Sequence, residues 1–86
     1  MARYKLIIKK SAVKELEDIP KKDLAKIVKR IRSLGRNPRP HGCQKLSGQS
    51  RLRIRHRDYR IVYSVNDKDC VVDIVKIGHR REIYRL

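Results

Sequence analysis

The chain has 86 residues, enough for one domain spanning positions 1–86, and without Phe or Trp its core must be built from Ile, Val and Leu. Its 24 Lys and Arg against 9 Asp and Glu leave a net charge of +15, a field that draws in polyanions, nucleic acid first, then acidic proteins or anionic membranes. No apolar run reaches the roughly 18 to 20 residues of a membrane span, and MARYKLIIKK is too charged for a secretory signal, so a cytoplasmic protein is expected.

In chain order, RYKLIIKK alternates as a first strand, with Tyr4, Leu6 and Ile8 on one side and Lys5, Ile7 and Lys9 on the other. Ser11 is placed to cap a short helix in which Val13, Leu16 and Ile19 recur every three residues, beside the acidic Glu15, Glu17 and Asp18. Pro20 stops that helix and suits the first turn of the next. There Leu24, Ile27, Val28, Ile31 and Leu34 make one apolar stripe, and Lys21, Lys22, Lys26, Lys29, Arg30 and Arg32 fill the rest. After Gly35, GRNPRPHGCQKLSGQ reads as a loop with Leu46 as its only large apolar anchor.

The remainder reads as strands. Ser50 to Arg55 alternates Arg with Leu52 and Ile54, HRD makes a tight connection, and Tyr59 to Val65 alternates Tyr59, Ile61, Tyr63 and Val65 against Arg60, Val62 and Ser64. CVVDIVKIG is apolar on almost both faces, as a central strand is. The expected fold is α+β with order β-α-α-β-β-β, a helical hairpin on one face of a mostly antiparallel four-stranded sheet. With Leu52, Ile54, Ile61 and Tyr63 under the helices, Arg51, Arg53, Arg55 and Arg60 all fall on the uncovered face. A solvated face usually mixes signs, so this one is expected to bind an anion.

Several residues have plainer readings. His56 in the hairpin turn is expected to be solvated, and His41 lies in a loop with no argument for chemistry. Tyr59 and Tyr63 are expected to pack in the core. A Cys43–Cys70 disulfide is not expected in a reducing compartment. The spacing of His41, Cys43, His56, Cys70 and His79 matches no zinc motif, and no metal or cofactor is expected.

DYRIVYSV, followed by IGHRREIY near the end and preceded by NPRPHGCQKLSG, resembles the RelE/ParE superfamily of toxin–antitoxin toxins over essentially the whole chain, nearer its RelE branch. The resemblance implies a microbial-RNase-like fold and a ribosome-dependent endoribonuclease, an mRNA interferase, that cleaves the codon in the ribosomal A site. It also implies a cognate antitoxin. Counting back from Arg60, the family's lysine pair falls on Arg51 and Arg53, its Arg after the Gly on Arg80, and its C-terminal Tyr on Tyr84, with a tail two residues shorter between the last two. Arg55, Arg57 and Lys45 are the further RNA-binding candidates.

Metal-free RNA cleavage needs a base for the 2′-OH, donors for the pentacovalent phosphate, and an acid for the 5′-oxygen. Arg60 and Arg80 suit the donors, because a guanidinium fork matches phosphate oxygens. Tyr84 suits stacking on an unpaired base. Arg51 and Arg53 stabilise charge but are poor bases, since Arg stays protonated, and His79 reads either as an acid or base or, more plainly, as a surface His at a strand end. Two other functions fit the charge: a ParE-like inhibitor of DNA gyrase, and a non-catalytic binder of nucleic acid or ribosomes.

Overall fold

The protein is described by a computed structural model covering residues 3–46 and 51–79, the side chain of His79 excepted. The elements are β1 (Lys5–Ile8), α1 (Lys10–Glu17), α2 (Lys21–Leu34), β2 (Gln44–Lys45), β3 (Arg51–His56), β4 (Tyr59–Asn66) and β5 (Val71–His79). They form an α+β fold whose sheet has the order β1-β5-β4-β3-β2. Only β1 against β5 is parallel, the other pairs being antiparallel. The helical hairpin carries the chain from the β1 edge to the β2 edge, which puts both helices on one face.

The sheet has five strands among the described residues, not the expected four. The additional one is β2, whose Gln44 and Lys45 pair with Arg53 and Leu52. Two residues are too few to show an alternation, so the loop reading concealed it. In β3 and β4 the expected alternation holds: Leu52, Ile54, Tyr59, Ile61, Tyr63 and Val65 join the core with Ile27, Ile31 and Leu34 of α2. Strand β5 departs from strict alternation at an irregularity opposite Val62 and Tyr63, which pair with Lys76 and Ile74. The extra residue, Val75, lets Ile74 and Ile77 both lie in the core although they are three apart.

Helix α1 differs from the sequence expectation in two ways. It begins at Lys10 after Lys9 and has no side-chain cap, so Ser11 lies within its first turn. Its inward residues are Ala12 and Leu16, with Ile19 buried just beyond its end, whereas Val13 is 42% exposed. The spacing of four from Ala12 to Leu16 is close to the helical period of about 3.6, and it puts the small Ala12 against the sheet. Helix α2 buries Ile27, Ile31 and Leu34 as its stripe predicts.

Gly35 follows α2 with an ordinary φ of −67°, so it supplies no left-handed cap. Its role is close approach. A Cβ there would lie 3.2 Å from the Tyr4 carbonyl and 3.3 Å from that of Arg32, while the Tyr4 N–H donates to the Gly35 carbonyl at 2.8 Å. The loop beyond is held to the sheet by Tyr63, whose buried hydroxyl donates to the Pro38 carbonyl at 2.6 Å; burial raises the pKa of that phenol. Asp67, in the β4–β5 turn, accepts from the Tyr4 hydroxyl at 2.6 Å and from two Arg39 nitrogens at 3.1 and 2.9 Å. It thereby joins the start of β1, the loop after α2 and the turn. Arg39, then Tyr4, hold the Asp67 carboxyl below its usual range.

Two outcomes follow. Tyr63→Phe strands the buried Pro38 carbonyl and is expected to cost about 1–2 kcal/mol in denaturant unfolding. Because the folded pKa of Asp67 is depressed, its contribution is present above the unfolded pKa near ~3.9 and is lost as pH falls through the folded value. Asp67→Asn is therefore expected to lower the melting temperature near neutral pH, with the difference from wild type shrinking as pH falls through the folded value.

Candidate functional site

The face of the sheet away from the helices is built in three rows by strand register. Arg55 stands opposite Arg60, and Arg60 opposite Gly78; Arg53 opposite Val62, and Val62 opposite Lys76; Arg51 opposite Ser64, and Ser64 opposite Asp73. Directly opposed side chains on one face have Cβ atoms about 4.5–5.5 Å apart. The rows place Arg53 and Arg55 of β3, Arg60 of β4 and Lys76 of β5 on the same face.

The face is less bare than its charge implies. Arg60 is only 5% exposed and Val62 likewise 5%, whereas Arg51 and Arg55 are exposed and Arg53 is half-buried. Arg60 occupies a middle strand, with Arg55 on one side and a residue without a side chain, Gly78, on the other. A buried guanidinium is tolerated only where other groups meet it, and Arg60 is engaged within the protein.

Three neighbours that the sequence reading passed over set the arginine face. Gln44 of β2 stands opposite Arg53, and its side-chain carbonyl accepts from the Arg53 guanidinium. Glu15 of α1 holds Lys76, with Oε2 3.2 Å from Nζ. The other oxygen of Glu15 accepts the Ile77 N–H at 3.3 Å. Strand β1 stops pairing at Ile8 opposite Ile74, so this carboxylate closes part of the edge of β5 that β1 leaves open. Asp73 is the one acid in the three rows, and its Oδ1 is buried without a hydrogen-bond partner among the described residues. A lone Lys within the apolar run of β5 was the available signal for Lys76; Gln44 and Glu15 gave none.

Other candidates fall elsewhere. Lys45 pairs with Leu52 and shares its helix-side face, away from the arginines. Arg57, the first turn residue, has φ 55°, the sign a two-residue hairpin requires there, and its Nη1 lies 4.0 Å from Asp23 of α2. His56 is not solvated as expected. Its side chain is 15% exposed, because it continues the inward series of Leu52 and Ile54, and Nε2 lies 3.8 Å from Asp23 Oδ1. His79 ends β5 opposite Tyr59; its side chain, and Arg80 and Tyr84, lie outside the described residues. Among the described residues no group of three or more His, Cys, Asp or Glu is placed to hold a metal, and no helix is long and apolar enough to cross a membrane.

The fold, a helical hairpin on one face of a sheet, is shared with known toxins. The model of the ParE toxin of type II toxin–antitoxin systems matches residues 6–84. The archaeal RelE–RelB complex from Pyrococcus horikoshii aligns with TM-score 0.81 and 35% identity, covering 93% of this chain and 97% of that one. A RelBE toxin–antitoxin complex from Mycobacterium tuberculosis gives 0.81 and 25% over 93% and 94%. The isolated RelE toxin of E. coli gives 0.78 and 29% over 95% and 92%. No curated protein matches the chain. The class is that of type II toxin–antitoxin toxins. The chain belongs to the RelE/ParE superfamily and stands nearer RelE.

Breaking the Glu15 contacts gives a measurable outcome. Glu15→Ala is expected to destabilise by about 1–3 kcal/mol, because the Ile77 N–H loses its acceptor. The ion-pair coupling from a Glu15→Gln, Lys76→Met double-mutant cycle should stay under about 1 kcal/mol, as for other half-exposed pairs. Urea unfolding of Glu15→Ala and of the four proteins of the cycle, wild type included, reads both.

Proposed function

We propose that this toxin is a ribosome-dependent endoribonuclease, an mRNA interferase acting without metal in the cytoplasm as one RelE-like domain, and that a cognate antitoxin restrains it. The observation that carries the reading is Arg60, buried in the middle of a cationic face with Arg55 opposite and Arg53 in the adjoining row. The similar structures include RelE with its RelB partner, which supports an antitoxin here. With this toxin at +15, the partner is expected to contribute an acidic segment that folds on binding.

In the reaction, the ribose 2′-oxygen attacks the adjacent phosphorus, its proton goes to a base, and the bond from phosphorus to the 5′-oxygen breaks as that oxygen gains a proton. Arg60 accepts the charge that grows on the phosphate oxygens, with Arg80 as second donor and Arg51 and Arg53 flanking. Gln44 orients Arg53. Tyr84 stacks on a base of the codon, and Arg55 and Arg57 hold the flanking backbone. His79 is the candidate proton carrier. With Arg where RelE carries lysines, the chain has no well-tuned acid–base pair of its own, so the ribosome must align the 2′-OH for in-line attack.

Single-turnover cleavage on programmed ribosomes tests this. Arg60→Ala and Arg80→Ala are each expected to slow cutting by roughly 10²- to 10³-fold, with circular dichroism unchanged. Arg57→Ala should have little effect, and Arg53→Lys should be tolerated or faster, because crowding by cations lowers the pKa of an ammonium but not of a guanidinium. Equal small losses at Arg57, Arg60 and Arg80 would reduce the face to a binding surface. Purified toxin should bind naked RNA, with affinity falling steeply as salt rises, and cut it poorly. The ParE family match favours one second reading, inhibition of DNA gyrase.

A further inference from the structure

On the helix side of the sheet, a cavity of about 310 Å³ is lined by Arg39, Lys45, Leu52 and Val65. Its apolar part comes from two adjacent strands, since Leu52 stands opposite Tyr63 and Val65 lies two residues further along β4. Both are half-buried, so they keep apolar surface to cover. The basic walls come from the loop after α2 and from β2. Arg39 is already fixed by its two bonds to Asp67, which Tyr4 also holds. Asp67 already meets its charge, so Arg39 offers a partner only its remaining N–H donors, held in place at little entropic cost. Lys45 is exposed and has no acidic partner among the described residues.

The lining selects its occupant. A phosphate backbone gains nothing from Leu52 and Val65, and RNA bases seek aromatic faces or free guanidinium planes; the described lining has no aromatic residue, and its one guanidinium, Arg39, is held by Asp67. An aliphatic side chain flanked by carboxylates satisfies both parts: the apolar side chain covers Leu52 and Val65, and the acids meet Arg39 and Lys45. We propose that this cavity is a docking point for the antitoxin, taking a Leu, Ile or Val from an acidic segment of it. The inference rests on the antitoxin reading above. It places one anchor of the partner behind the sheet, on the face opposite Arg51, Arg53 and Arg55.

The test is calorimetric titration of the purified cognate antitoxin into wild-type toxin and into Val65→Glu, Lys45→Glu and Arg55→Glu, each checked by circular dichroism. Val65→Glu and Lys45→Glu are each expected to weaken binding by about tenfold or more, through a charge set against the acidic segment at an anchor point. Arg55→Glu, on the far face, should weaken it less than either. Lys45 lies on an exposed two-residue strand, so its variant keeps the test valid if Val65→Glu fails to fold. Wild-type affinity in Lys45→Glu, or an Arg55→Glu loss exceeding that of both cavity variants, overturns the proposal while the antitoxin reading stands. If Val65→Glu instead weakens a single-stranded RNA oligonucleotide as much as the antitoxin, the cavity is an RNA site. No complex with wild type overturns both readings.

Discussion

The packing of Leu52, Ile54, Ile61 and Tyr63 beneath the two helices is the constraint on which the cationic face depends. In a strand, fixing one set of side chains inward fixes the alternate set outward. The free energy that orders the arginines is therefore supplied by aliphatic burial on the other side of the same backbone. A slip of one residue in β3 would drive Arg51, Arg53 and Arg55 into the core. That possibility is closed by the core itself, where Ile54, Ile61 and Tyr63 are at most 1% exposed.

Keeping so many cations together has a cost that is met locally. Gln44 receives Arg53, and Glu15 draws Lys76 toward α1 while completing the edge of β5. Glu15 thus connects the helical layer to the arginine face. Arg60, the least exposed of the face's arginines, gives the face a centre and not just a charge density. An arginine cannot serve as a base at any ordinary pH. On this face Arg51 and Arg53 can therefore contribute charge stabilisation but not proton abstraction.

Much of this was legible in the sequence where a period ran long enough. The stripe from Leu24 to Leu34 and the alternation from Leu52 to Val65 both appear as read, and they determine the class of fold. What stayed hidden was short or distant. Strand β2 is two residues long. The α1 stripe was misplaced because Ala12 is weakly apolar and Val13 strongly so, yet helical geometry turns Val13 outward. His56 seemed part of a solvated turn but continues the inward alternation by one more step. Glu15 meets Ile77 across 62 positions, and Arg39 meets Asp67 across 28, separations that no local pattern encodes. The burial of Arg60 depends on its neighbours on β3 and β5, so the sequence revealed its charge and face but not its depth.

The central claim is that the arginine face serves cleavage of ribosome-bound message. The direct measurement is mapping of mRNA 5′ ends after adding purified toxin to an in vitro translation reaction, with gyrase supercoiling assayed in parallel. Breaks in phase with codons, present on translated message and absent when ribosomes are omitted, with gyrase unaffected, are the predicted result. Intact message together with inhibited supercoiling would contradict it, and so would translation blocked without any break.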